Sequence, residues 1–176
     1  MTTNILLAGF GGQGILFAGK LLAYIGMQQD KQVSWLPSYG PEMRGGTCNC
    51  SVVLSDAPVG SPIVLKPDVL IAMNKPSFVK YEPAVVPGGK LFADSGLIDI
   101  RSERTDITEY ALPASVMASD EGLPGLLNMI LLGKVIAELD LADDATVLAA
   151  LRKCIPPRKA DLLEANRKAI ALGKSS

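Results

Sequence analysis

Apolar residues fall in short blocks separated by glycine, proline and small polar residues, and the spacing inside each block predicts its element. Asn4–Ala8 is an apolar run closed by glycine, the pattern of a buried strand. Ile15, Ala18, Leu22 and Ile25 recur along one face of a helix reaching Gly26. Gln32–Leu36 and Thr47–Leu54 read as strands, and Val59–Leu65 as an extended run. Val69–Met73 is apolar throughout, which predicts a central strand. Asn74 then caps a short helix, Pro76–Tyr81. Its place at the end of a central strand, where ligands of open α/β sheets sit, is the competing role. Lys90–Ala93 is another strand, and Asp106–Leu112 alternates like a strand at or near an edge. Pro113–Ala118 begins a short helix. Leu126–Leu139 is predicted as the longest helix and is apolar nearly all round, so it is buried on more than one side. Ala142–Cys154 is an amphipathic helix with Asp143 and Asp144 favourably placed at its start, and Arg158–Leu172 is the last helix.

This alternation predicts an α/β fold in one domain spanning 1–176, opening with a Rossmann-like strand–glycine turn–helix unit. The second and third strands are joined by a loop alone. Parallel neighbours need a crossover of about a dozen residues or more, so this pair is antiparallel and the sheet is mixed.

Two glycine-rich segments carry the candidate chemistry. Gly9, Gly11 and Gly14 match G-x-G-x-x-G, and the turn leaves backbone N–H groups at a helix start, where anions are favoured. The ribose-binding acid that would support a nicotinamide cofactor belongs at the end of the second strand. Pro37 and Ser38 stand there instead, and Asp30 lies at the wrong end. A compact turn without a ligand and a nest for another phosphate or carboxylate are the other readings. The second segment joins the apolar runs around Leu36 and Val53. Pro37, Pro41, Gly40, Gly45 and Gly46 shape it, and it holds Tyr39, Glu42, Arg44, Thr47 and Cys48, which suits a binding surface. A turn excursion with a local Glu42–Arg44 contact is the plainer alternative.

Composition narrows the chemistry. The chain has 176 residues and a net charge of −1, which gives no electrostatic case for nucleic acid. With 48% hydrophobic and 5% aromatic residues, the core is aliphatic. A mean hydropathy of +0.28 points equally to an aliphatic core and to apolar surface that meets partner chains. There is no histidine, so acid–base work near neutral pH would need a shifted carboxylate, Lys or Cys. The three cysteines, Cys48, Cys50 and Cys154, fit a reducing compartment. Cys48 and Cys50 share a strand face but lack the further ligands of a zinc or iron–sulfur site. The N-terminus has no signal pattern and no apolar run reaches membrane-spanning length, so the expected location is cytoplasmic, without a membrane partner.

The runs GFGGQGILFAGK, WLPSYGPEMRGGTCNCSVVLSD, GSPIV, PDVLIAMN and PGGKLF resemble the gamma subunit of 2-oxoacid:ferredoxin oxidoreductases, nearest the 2-oxoglutarate or 2-oxoisovalerate type. The beta subunit of indolepyruvate oxidoreductase is similar at the first run and ranks second. The resemblance implies a three-layer α/β/α domain and an accessory role in the CoA-dependent oxidative decarboxylation of a 2-oxoacid, 2-oxoglutarate first among them. The products are an acyl-CoA, CO2 and reduced ferredoxin. It also implies that thiamine diphosphate, Mg2+ and [4Fe–4S] clusters belong to alpha, beta and, where present, delta partner subunits, with coenzyme A as co-substrate. No catalytic residue and no metal ligand is assigned to this chain. The expected binding residues are Gly11, Gly12, Gln13 and Gly14 in the turn, and Ser38, Tyr39, Glu42, Arg44, Gly45 and Gly46 in the loop. Arg44 would pair with a carboxylate or phosphate at the subunit junction, with Tyr39 and Met43 packed beside it.

Overall fold

The computed structural model describes residues 1–38 and 47–176. Among the described residues, strands β1 (Thr2–Phe10), β2 (Gln32–Ser38), β3 (Thr47–Ser55), β4 (Val69–Ala72), β5 (Lys90–Asp94) and β6 (Thr108–Leu112) form one sheet in the order β2-β3-β1-β4-β5-β6. β3 runs antiparallel to both β1 and β2, whereas β1, β4, β5 and β6 are parallel. The sheet is therefore mixed, as the loop-only connection between β2 and β3 requires. β4 is central and β6 is an edge.

The helices are α1 (Ile15–Gln28), α2 (Lys75–Tyr81), α3 (Ala114–Asp120), α4 (Leu127–Glu138), α5 (Asp144–Cys154) and α6 (Ala160–Lys174). Strand alternation separates two cores. Ile5, Leu7, Cys50, Ile71 and Phe92 face the layer built from α1, α3, α4, α5 and α6. Leu6, Val53, Leu70 and Leu91 face the opposite way. There Phe78 of α2 covers them together with irregular segments around Val64, Val85 and Ile98. The three layers are thus unequal. The run Val59–Leu65 contributes to the thinner one as bends rather than as a strand.

Two boundaries depart from expectation. β2 continues through Pro37 to Ser38, which pairs with Asn49. Its edge position lets proline, which has no N–H, remain in the ladder. The longest helix is α6, with 15 residues, and not α4, with 12. Leu126 and Leu139 are caps of α4 rather than members of it. The polar end of α6 stays helical because Lys174 pairs with Asp144 at 2.5 Å and Gly173 lies against the α4 backbone at Ile130. α4 is buried on more than one side, with Asn128, Met129, Ile130, Leu131, Leu132, Val135 and Ile136 all inside.

Candidate functional site

The turn between β1 and α1 is built around backbone that only glycine adopts easily. Gly12 and Gly14 have φ of 93° and 76°, in the left-handed region. A side chain at Gly14 would also collide with the Asn128 amide. Gly12 is exposed and open on every side.

Gln13 holds the turn in place. Its Oε1 accepts the Phe10 N–H at 2.7 Å, and its Nε2 donates to the Met73 carbonyl at 2.9 Å. One side chain thus ties the turn to the ends of β1 and β4. Both polar ends of Gln13 are engaged within the chain, each through one hydrogen bond. Gly14 is the N-cap of α1, with no side-chain cap and no acidic residue in the first turn. Among the described residues, no side-chain cap or first-turn acid neutralises the dipole of that helix end.

Asn128 was not among the expected site residues, although it belongs to the turn. It is buried on α4 and donates through Nδ2 to the Gly14 carbonyl at 3.1 Å. Its Oδ1 has no partner among the described residues. The signal in the sequence was a lone amide in the apolar first half of a helix whose charged residues, Lys134 and Glu138, come later. Asp94, at the end of β5, is a second buried polar group on the same sheet edge. Its Oδ1 accepts from Gly96 N at 3.0 Å, Ser115 N at 3.2 Å and Ser115 Oγ at 3.1 Å, which fixes the start of α3. Asn74 acts as the cap of α2, accepting from Ser77 N at 2.8 Å.

Ser38 is exposed at the end of β2. It lies on the same sheet edge as the glycine turn but not beside it. Ser38 pairs with Asn49 of β3, which pairs with Ala8 of β1. Two interstrand spacings, roughly 10 Å, separate the strands. The chain leaves the sheet at Ser38 and re-enters at Thr47, whose partner is Phe10, just ahead of the turn. Tyr39, Glu42, Met43, Arg44, Gly45 and Gly46 lie outside the described residues.

Placing β3 between β1 and β2 also bears on the dinucleotide reading. In a dinucleotide fold the second strand lies next to the first, and its terminal acid reaches the ribose. Here β2 is one strand further out and ends in Pro37-Ser38, so no carboxylate stands at that position.

The cysteines are free. Cys48 and Cys50 face the α1 core together, and burial raises both thiol pKa values, Cys50 to about 12. Burial lifts Cys154 to about 11. Thiols held protonated in this way are poor nucleophiles. Among the described residues, no three His, Cys, Asp or Glu side chains converge on a possible metal position, and no helix is long and apolar enough to cross a membrane.

Residues 4–176 match the family described as pyruvate ferredoxin/flavodoxin oxidoreductase. The ketoisovalerate oxidoreductase subunit VorA of Methanothermobacter marburgensis is 40% identical over 134 residues, covering 76% of this chain and 28% of its own. The chain thus spans well under a third of that relative's length. The 2-oxoglutarate synthase subunit KorC of Methanocaldococcus jannaschii is 34% identical over 159 residues, covering 89% of this chain and 85% of its own. Among solved structures, the gamma subunit of a keto/oxoacid ferredoxin oxidoreductase from Geobacter sulfurreducens superposes with a TM-score of 0.83 at 27% identity, over 98% of this chain and 96% of that one.

Proposed function

The chain belongs to the pyruvate ferredoxin/flavodoxin oxidoreductase family, and on that premise we propose that it is the gamma-type accessory subunit of a 2-oxoacid:ferredoxin oxidoreductase. In this reading 2-oxoglutarate is the first-ranked substrate and branched 2-oxoacids the second. KorC and VorA, two of its relatives, carry those two activities in their names. Thiamine diphosphate, Mg2+ and [4Fe–4S] clusters reside in the alpha, beta and any delta subunits, and reduced ferredoxin leaves through the complex. This chain contributes an anion-binding turn on the coenzyme A side of the active-site region.

The observation that carries the proposal is the glycine turn. Gln13 and Asn128 hydrogen-bond it in place, Gly12 is exposed, and among the described residues no carboxylate caps α1. Such a helix start accepts a phosphate through backbone donors. In this reading no residue of this chain is catalytic, and its buried thiols, held protonated, are poor nucleophiles.

Gly12→Val tests the role of the turn. A β-branched residue is strained at positive φ, so the turn must change shape. In the assembled complex the variant is expected to raise KM for coenzyme A about tenfold, equivalent to about 1.4 kcal/mol, with little change in kcat. Wild-type kinetics at limiting coenzyme A would refute the phosphate-binding role.

A further inference from the structure

β2 is an edge strand of seven residues, QVSWLPS, without one charged side chain. Trp35 and Leu36 are exposed on its two opposite faces. Met27 of α1 lies beside Trp35, and Ile63 and Leu65 lie beside Leu36. These five side chains, with relative exposures from 37% to 78%, gather around one strand. On the α2 side Leu36, Ile63 and Leu65 border a cleft of about 460 Å³ whose polar lining is Ser38, Asn49, Ser51 and Tyr81, with no charged side chain lining it among the described residues. Lys20 and Lys31 flank the Trp35 face, so the uncharged side of the edge is the Leu36 side. Scattered apolar residues on a surface are ordinary, but a concentration around one edge strand marks a contact surface.

We infer that this β2 edge and its cleft seat an uncharged, apolar segment of the partner subunit of the oxidoreductase. The inference rests on the subunit role proposed above and specifies where the contact lies. Two relatives suggest the occupant. In the VorA relative, the matched part is 28% of a chain whose remainder is attached covalently. In the KorC relative, the match covers 85%, so an equivalent association has to be held by surface contacts. Among the described residues the lining of the cleft is neutral, which favours an uncharged segment, because a charge seated there would lose hydration against apolar and neutral polar groups. Pro37 takes one N–H from the edge ladder, so recognition falls chiefly to side chains in the cleft rather than to an added strand.

The test measures reassembly of this chain with the purified remainder of its complex, followed by the iron–sulfur absorbance that co-migrates with it. Leu65→Glu and Leu36→Lys are each expected to raise the Kd tenfold or more, with the melting temperature of the isolated chain little changed. Leu65 is 78% exposed in an irregular segment, so its replacement puts the fold at little risk. Leu36→Ser is the milder second variant. Leu162→Lys, exposed on α6, serves as the control and leaves the Kd unchanged. Wild-type Kd in both edge variants overturns the inference and leaves the subunit reading intact. Failure of the wild-type chain to bind any chain bearing thiamine diphosphate or iron–sulfur clusters overturns the subunit reading itself. A wild-type homodimer that Leu65→Glu dissolves, with the Kd for the complex unmoved, assigns the edge to a second copy and overturns the inference.

Discussion

The two edges of the sheet are finished in opposite ways. At β6, Glu109 accepts the Ser102 N–H at 2.8 Å and lies 4.0 Å from Arg101. Arg104 donates to the carbonyls of Glu82 and Val85 at 3.0 and 2.8 Å and pairs with Asp106 at 2.6 Å. Tyr110 stacks on Phe92 with ring centroids 4.7 Å apart, and Lys90 and Lys134 lie over its ring. The chain thus closes this edge with its own charges and carbonyls. The β2 strand itself carries no charge, although Lys20 and Lys31 flank its Trp35 face, and Trp35 and Leu36 face outward. Charged side chains and bound loops are ordinary ways to blunt an edge, and a strand left without them is available to pair or pack. Apolar side chains such as Val79, Leu97 and Val116 are exposed elsewhere too, but around β2 they gather on one edge strand.

The largest expected effect lies behind the closed edge. Phe92 is fully buried on β5, next to β6, and Phe92→Ala should cost about 3–5 kcal/mol in denaturant unfolding of the isolated chain. Trp35→Ala, at the open edge, should cost the isolated chain about 1–2 kcal/mol, because part of that ring is already in water. It should nevertheless weaken assembly more than any single change at β6. Equal effects of the two on both stability and assembly would erase the distinction between the edges.

Alkaline pH offers a smaller handle on the open side. Cys50 lies next to Trp35 and α1, and burial raises its thiol from 9.0 to about 12. A raised value means that the fold favours the protonated thiol. That contribution is complete below pH 9.0 and is lost as pH climbs through about 12. Stability of the isolated chain should therefore fall across this window, and Cys50→Ala should flatten that part of the slope. Salt should produce the smallest effect. Raising ionic strength screens the exposed pairs at β6, each worth about 0–1 kcal/mol. Association through an uncharged β2 edge should not weaken in the same titration; a steep loss of assembly with salt would point to a charged interface elsewhere.

Much of the fold is legible in the chain because local pattern and tertiary environment agree. Ile5 and Leu7 with Leu6 give a strand buried on both faces, Val69–Ala72 gives the central one, and Asn74 caps α2 as its side-chain chemistry predicts. The antiparallel β2–β3 pair follows from connection length alone. Other features depend on partners remote in sequence. Nothing near Gly14 announces that Asn128, on a helix far along the chain, will close against it. Nothing in the polar tail shows that contact with α4 will keep α6 helical to Lys174. The glycine turn was readable as a shape, yet Gln13 serves as its latch through both side-chain ends, a role visible only once Met73 is in place. Pro37 looked like the start of a loop and proves to be a strand residue, because an edge does not need its N–H.

Insertion of β3 between β1 and β2 has a consequence for how the chain folds. β1 is made first, but its antiparallel neighbour is β3 and its parallel neighbour is β4, so neither flank is filled by the next strand in sequence. The β2–β3 pair is the more local one and closes the shorter loop, at the smaller entropic cost. It can therefore zip up early and offer the free side of β3 as a template on which β1 anneals. The same order leaves the outer side of β2 bare from the first moment of folding, so the nascent chain carries its stickiest strand before the rest of the sheet exists to dilute it.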